Sequence, residues 1–366
     1  MVEGKAFLPD PLPQEFVLST ETWNVINSAT AALARLDGAA RLIPQPSLLR
    51  RPTLRREAQS TSALEGTYAP FTDVLAAEGK DWQQLPAAVI EILNFEKMAE
   101  LAFSWPEDRA LTIGMLGDLQ KTLVSGTAGE LSDVGQLRDR IVVIGARGAG
   151  FDEARFVPPP PGDQLRAGVE ELLAWIASPP SLPAVVLAAL AHYQFESLHP
   201  YSDGNGRLGR LLVIVQLLRG AVIREPLLVV SPWFEKRRDR YQDELMHLSC
   251  SGDWDRWVSF FAEGVAASAV DSQQKVEGLV ALQEQLRRRV QDAKKRGSAE
   301  RLAAELVGRP YVDRPWVAGR LGLSGQGAQN AINTLVSLNI LEPAQARLSR
   351  NARLYVAPEI VQIISS

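Results

Sequence analysis

Cysteine is almost missing from this sequence. Cys250 stands alone, which excludes a disulfide within the chain and any zinc site built on cysteine pairs. That usage fits a reducing compartment. An unbroken apolar run is also missing. The greasiest stretch, Leu211 to Val230, is interrupted by Arg219, Arg224, Glu225 and Pro226, too often for a bilayer span. The opening residues, Met1 to Pro13, lack the apolar core of a secretory signal, so the expectation is a soluble, cytoplasmic chain with no membrane partner. Neither sign of charge dominates. With 39 basic and 43 acidic residues the formal net charge is −4, which gives no general pull toward nucleic acid or anionic lipid. No internal repeat is found.

What is present is 366 residues, 46% of them hydrophobic, enough for a core that needs no staple. Helical periodicity dominates, and the fold class expected is mainly α. Ser19 to Ile43 sets Trp23, Ile26, Ala29, Leu33 and Leu36 on one face. Pro44, Pro46 and Pro52 punctuate the next stretch, and a second helix runs from Leu54 to a stop at Gly66. Further helices are expected at Pro86 to Phe103, Leu111 to Val124, Gln164 to Ser178, Pro183 to Phe195, Leu208 to Leu218, Trp233 to Ser249 and Trp254 to Val270. Ile141 to Ile144, followed by Gly145, Gly148 and Gly150, predicts a small β-hairpin, and Phe156 to Pro161 an extended strap. From Gln273 the texture turns charged and reads as an exposed connecting helix. Beyond it come helix, turn, helix and two strands around a polar loop, the pattern of a winged helix-turn-helix. The expected organisation is an N-terminal helical region (1–108), a core (109–272), a linker helix (273–300) and a winged helix (301–366).

Chemistry concentrates between His199 and Arg210. Gly204 and Gly206 allow a tight turn with exposed N–H groups, and the helix that follows turns its N-terminus, favourable to anions, toward them. Arg207 and Arg210 lie three apart on one helix face, two forks suited to two phosphates. Asp203 offers a hard oxygen for Mg²⁺, and an uncharged His199 can accept a proton from a hydroxyl. Alone, each would more often be a capping histidine or a solvated charge; within twelve residues they compose a phosphate site with a base beside it. His192 and His247 read as structural rather than metal-ligating.

This segment resembles the Fic family signature, HxFx(D/E)GNGRxxR, at His199, Asp203, Gly204, Asn205, Gly206, Arg207 and Arg210. Tyr201 departs from the usual Phe and fits the core only if its hydroxyl finds a partner. The resemblance implies a protein adenylyltransferase that moves AMP from ATP to a Ser, Thr or Tyr hydroxyl of a target protein, or onto itself. It casts His199 as general base, Asp203 as holder of Mg²⁺, Asn205 on the α-phosphate, Gly204 and Gly206 as a backbone cradle, Arg207 on the outer phosphates and Arg210 on the γ-phosphate. Gly135, Arg138, Val142, Ile144 and Gly145 look like the family's flap, whose edge (Val142, Val143, Ile144) would hold the target segment by strand addition. Gln120 stands where many members carry His, with no chemistry assigned to it.

Thr61-Ser62-Ala63-Leu64-Glu65-Gly66 resembles the family's inhibitory motif, (S/T)xxxE(G/N). By that likeness Glu65 pairs with Arg210, occupies the γ-phosphate position and misaligns ATP. Two other readings remain open: removal of AMP or transfer of another phosphate-linked group at the same site, and a nucleotide-sensing transcription regulator. For the winged helix, Arg347, Arg350 and Arg353 would meet a DNA backbone and Gln326, Gln329 and Asn330 the base edges. Docking of a protein, or of a second copy as a homodimer, is the competing use.

Overall fold

A computed structural model describes residues 6–15, 17–41, 45–77, 84–145, 153–295, 297–344 and 353–366. Among them helices make up most of the chain. Helix α1 (Thr20–Arg41) buries the predicted stripe of Ile26, Ala29, Leu33 and Leu36. It packs along α11 (Trp254–Asp292), and the two starts are joined where Ser19 donates from its amide and its hydroxyl to Asp255 at 2.6 and 2.9 Å. Then come α2 (Ser47–Leu64), α3 (Phe71–Ala76), α4 (Ala87–Phe103) and α5 (Ile113–Val124). Next are α6 (Asp163–Ala177), α7 (Ala184–Leu198), α8 (Asn205–Arg219), α9 (Ser231–Glu235) and α10 (Arg238–Ser251). Helices α7 and α8 form the centre, an antiparallel pair buried on nearly every side. No helix among the described residues is long and apolar enough to cross a membrane.

The structure departs from the sequence reading in several places. Pro52 does not punctuate but lies inside α2. It costs that helix only the hydrogen bond that its missing N–H would make to Leu48. The helix foreseen over Trp233 to Ser249 is two, α9 and α10, with a break at Lys236 and Arg237. The helix expected from Leu208 begins earlier, at Asn205, so the glycine turn lies directly against its first residue. The foreseen connecting helix is neither exposed nor separate. Helix α11 runs for 39 residues through position 273, and Val276, Leu279, Leu282, Leu286 and Val290 form a buried stripe at helical spacing that the surrounding charge had masked.

The C-terminal part contains α12 (Ser298–Glu305), β1 (Tyr311–Asp313), α13 (Arg314–Leu321), α14 (Gly325–Ser337), β2 (Glu342–Pro343), β3 (Leu354–Val356) and α15 (Pro358–Ser365). Its three strands form an antiparallel sheet in the order β1-β3-β2, with Tyr311 and Glu342 both opposite Val356. Arg347 and Arg350 lie outside the described residues; Arg353 is exposed. The Gln326 amide donates to Asn330 at 2.9 Å, and Gln329 donates to Asn333 and to the Tyr355 hydroxyl, so the polar face of α14 is largely bonded to itself.

His192 sits in the core as a packed residue, stacked near Trp257 with its Nε2 2.7 Å from the Tyr241 hydroxyl. Burial, helped by the Arg210 charge, pushes its pKa down to about 3. An unfolded histidine titrates near 6.5, so between those values the unfolded chain binds a proton that the native one refuses. Stability should therefore fall as pH drops below about 6.5, with His192 contributing roughly 1.4 kcal/mol per pH unit. Urea unfolding at several pH values checks this, and His192→Gln should flatten the slope. In the same assay Leu286→Ala should lose about 2–5 kcal/mol, because its side chain fills the α11 stripe; a surface-like loss under half a kilocalorie contradicts the packing described.

Candidate active site

The turn from α7 to α8 is shaped by left-handed backbone at both ends. His199 caps α7 with φ of 46°, and Gly204 precedes α8 with φ of 87°. A side chain at Gly204 would meet Leu123 at 2.8 Å as well as the strained backbone, so glycine is needed there twice over. Asn205 closes the turn: its Oδ1 accepts from the Tyr201 amide at 2.8 Å and its Nδ2 donates to the Tyr201 carbonyl at 2.7 Å. Both polar atoms expected on an α-phosphate are thus engaged inside the protein, and Asn205 is 2% exposed. Tyr201 is buried in the core, but among the described residues its hydroxyl finds no hydrogen-bonding partner, against the requirement set for it above.

The two arginines leave the first turns of α8 toward different acids. Arg207 reaches Asp203 at 3.1 Å and Glu91 of α4 at 3.5 Å. Arg210, 2% exposed, donates to the Thr61 hydroxyl at 2.6 Å, to the Thr61 carbonyl at 3.1 Å and to Glu65 at 2.5 Å. Glu65 follows the last residue of α2, and its carboxylate lies directly over Gly206, where a Cβ would come within 2.1 Å of Oε1. The Glu65 side chain is 40% exposed; its partial desolvation would raise the pKa, and the Arg210 charge and hydrogen bond overcome this and hold it below the usual range. Farther up α2, Glu57 is wholly buried and accepts from the Val230 and Ser231 amides at 2.8 and 2.9 Å and from the Ser231 hydroxyl. Glu57, Thr61 and Glu65 occupy one face at intervals of four, a spacing visible in the sequence.

Among the described residues the His199 Nδ1 has no partner at full hydrogen-bonding geometry, though the Glu196 backbone acts on the imidazole. Burial pushes its pKa down to about 4; Glu65 and Asp203 oppose the shift and Arg138 reinforces it. The imidazole is therefore neutral at pH 7, a proton acceptor. Glu196, one turn earlier on α7, is pushed up to about 7 by burial, with Arg210 lowering it and Glu65 raising it. His199, Glu65, Glu196, Gly206, Arg210 and Tyr241 line one cavity of 120 Å³, which Ile144 and Phe156 close from the side.

The expected hairpin reduces to one antiparallel bridge, in which Ile144 and Phe156 exchange hydrogen bonds of 2.9 and 3.0 Å. Val142 and Val143 precede it, half-buried and outside any strand, and Ile141 is exposed. Gly148 and Gly150 lie outside the described residues. Gln120, to which no role had been assigned, links the two loops: its Oε1 accepts from the Gly135 amide at 2.7 Å and its Nε2 donates to the Asp203 carbonyl at 3.2 Å.

Among the described residues no three His, Cys, Asp or Glu side chains cluster as a metal site. Asp203 is 42% exposed and spends Oδ1 on the Gly204 amide and Arg207, while Oδ2 rests over Gly129, where any Cβ would collide. A lone carboxylate with an uncommitted oxygen suits a cation that arrives with phosphate oxygens and water, as Mg²⁺ does.

The comparisons with known proteins agree with this geometry. Residues 23–104 match the family described as Fic/DOC family N-terminal, and residues 110–217 match the Fic/DOC family. Over 109 residues, 29% of its length, the chain is 35% identical to "Protein adenylyltransferase Fic" of Aedes aegypti and 36% identical to that of Drosophila yakuba. It spans about a fifth of the length of those relatives. Among solved structures, a Fic family protein from Desulfovibrio desulfuricans superposes with a TM-score of 0.61 at 20% identity, covering 95% of this chain and 98% of that one. Fic-1 from C. elegans superposes with a TM-score of 0.54 at 18% identity, over 71% and 73% of the two chains. With its two family matches lying end to end over more than half its length and its fold shared with these structures, the chain belongs to the Fic/DOC family.

Proposed function

We propose that this protein is an adenylyltransferase that transfers AMP from ATP to a hydroxyl of a target protein, and that Glu65 holds it off at rest. The observation that supports this most directly is the Glu65–Arg210 pair, braced by Thr61 and lying over Gly206 beside a neutral His199.

In this reading a hydroxyl of the target, laid against Val142, Val143 and Ile144, approaches the imidazole. His199 takes its proton, the oxygen bonds to the α-phosphorus, and the bond to pyrophosphate breaks. Arg207 and Arg210 neutralise charge on the departing phosphates, and the leading N–H groups of α8 face the same anion. Mg²⁺, held by Asp203 and the nucleotide, would further offset phosphate charge. At rest Glu65 takes the guanidinium that a γ-phosphate needs, and the two anions compete for it.

Label from α-³²P-ATP should enter protein roughly tenfold faster or more with Glu65→Gly than with the parent chain. Thr61→Ala, which removes a single hydrogen bond from Arg210, should raise the rate by only about fivefold. Adding His199→Ala to Glu65→Gly should abolish transfer. Equal labelling by the parent and Glu65→Gly ends the inhibitory role; label that persists without His199 ends its role as base.

A further inference from the structure

Arg138 is among the most deeply buried side chains of the protein, 2% exposed, and no carboxylate pairs with it among the described residues. Burial pushes its pKa down only to about 10, so it remains a cation at neutral pH. Its partners are backbone carbonyls. Nε donates to the His199 carbonyl at 2.8 Å and Nη2 reaches the Leu198 carbonyl at 3.5 Å, while its own amide donates to the Pro200 carbonyl at 3.0 Å. Three consecutive carbonyls at the end of α7 thus converge on one residue. On the other side Nη1 donates to the Arg140 carbonyl at 3.0 Å, and Nη2 also donates to the carbonyl of Pro159.

The chemistry explains the choice of residue. The last carbonyls of a helix have no partner within it, and the negative end of the helix dipole favours a cation there. A guanidinium offers five donors in a fixed plane, enough to serve carbonyls on both its sides. Lysine has a single nitrogen and cannot span them. His199 meanwhile holds a left-handed conformation that a side-chain-bearing residue adopts only when its surroundings enforce it. Arg140 lies where the chain enters the flap, and Pro159 where it returns.

We propose that Arg138 is a positioning residue for the transfer step: it fixes the backbone from which the His199 imidazole projects and joins it to both limbs of the flap, so that base and target hydroxyl share one frame. This rests on the adenylyl-transfer reading above. Arg138 contacts neither the arginines nor the glycines that face the phosphates, so its loss should be felt in transfer and not in nucleotide binding.

The test uses the full chain with Glu65→Gly, alone and combined with Arg138→Met or Arg138→Lys. Both double variants should lose about 10- to 100-fold in kcat while ATP affinity, measured by calorimetry, stays within about twofold of the Glu65→Gly chain. A parallel loss of ATP affinity would show general loosening, and a kcat preserved with lysine would show that the charge alone suffices; either result overturns the proposal. If Arg138→Met fails to fold, Arg138→Lys, which keeps stem and charge, carries the comparison. If the Glu65→Gly chain itself transfers no label, the adenylyl-transfer reading falls. Arg138 is then judged by amide hydrogen exchange in the same variants. Joint loss of protection in residues 139–145 and 199–203, with the rest of α7 unchanged, supports the clamp; independent behaviour of the two segments refutes it.

Discussion

A guanidinium taken almost wholly out of water needs acceptors for its donors; Arg138 finds them in backbone carbonyls, whereas Arg210 finds an anion, and the site is arranged around that pair. The Arg210 side chain, 2% exposed, sits among α2, α7 and α8, while the Glu65 carboxylate that meets it is 40% exposed. Glu65 meets the need in the structure described here. Thr61 turns the fork toward α2, and Glu57 fixes that helix to the start of α9. The absence of a side chain on Gly206 gives the carboxylate somewhere to lie. On the function proposed above, the same guanidinium would serve a phosphate, and two anions would compete for one cation. Neighbouring ionisable groups feel the same charge: His192 is kept neutral partly by it, and Glu196 is pulled by it against its own burial.

How much of this was legible in the sequence depends on the distance between the residues involved. The segment from His199 to Arg210 spoke plainly because its parts are adjacent, and the glycines announce a backbone that only glycine adopts readily. Glu65 was reachable because its motif is compact. Glu91 was not, and Gln120 was noticed without a role, since each acts on the site from another helix. Asn205 was recognised but its amide was directed outward; only coordinates reveal that the turn uses it internally. Tyr201 exposes the limit of reasoning by residue type. A buried hydroxyl ought to be satisfied, and this one has no partner among the described residues.

The same contrast holds for the fold. Apolar periodicity located α1, α4, α5 and α6 to within a few residues, and the continuous apolar run of α7, bounded by Pro183, located that helix as well. Periodicity failed where charge was dense: the second half of α11 reads as solvated helix until its apolar positions are counted on their own. Proline misled for the opposite reason. In the second turn of α2 it forfeits a single hydrogen bond, a cost that packing against α4 and α9 outweighs.

That proline leaves the Leu48 carbonyl without its helical donor, and the carbonyl is pressed against Gly308 in the C-terminal part, so closely that a Cβ there would come within 2.8 Å of it. The opposite end of the same rod is Glu65. Eighteen residues of helix span about 27 Å. Helix α2 therefore connects the C-terminal part, at Leu48, with the Arg210 pair, at Glu65, through a single element.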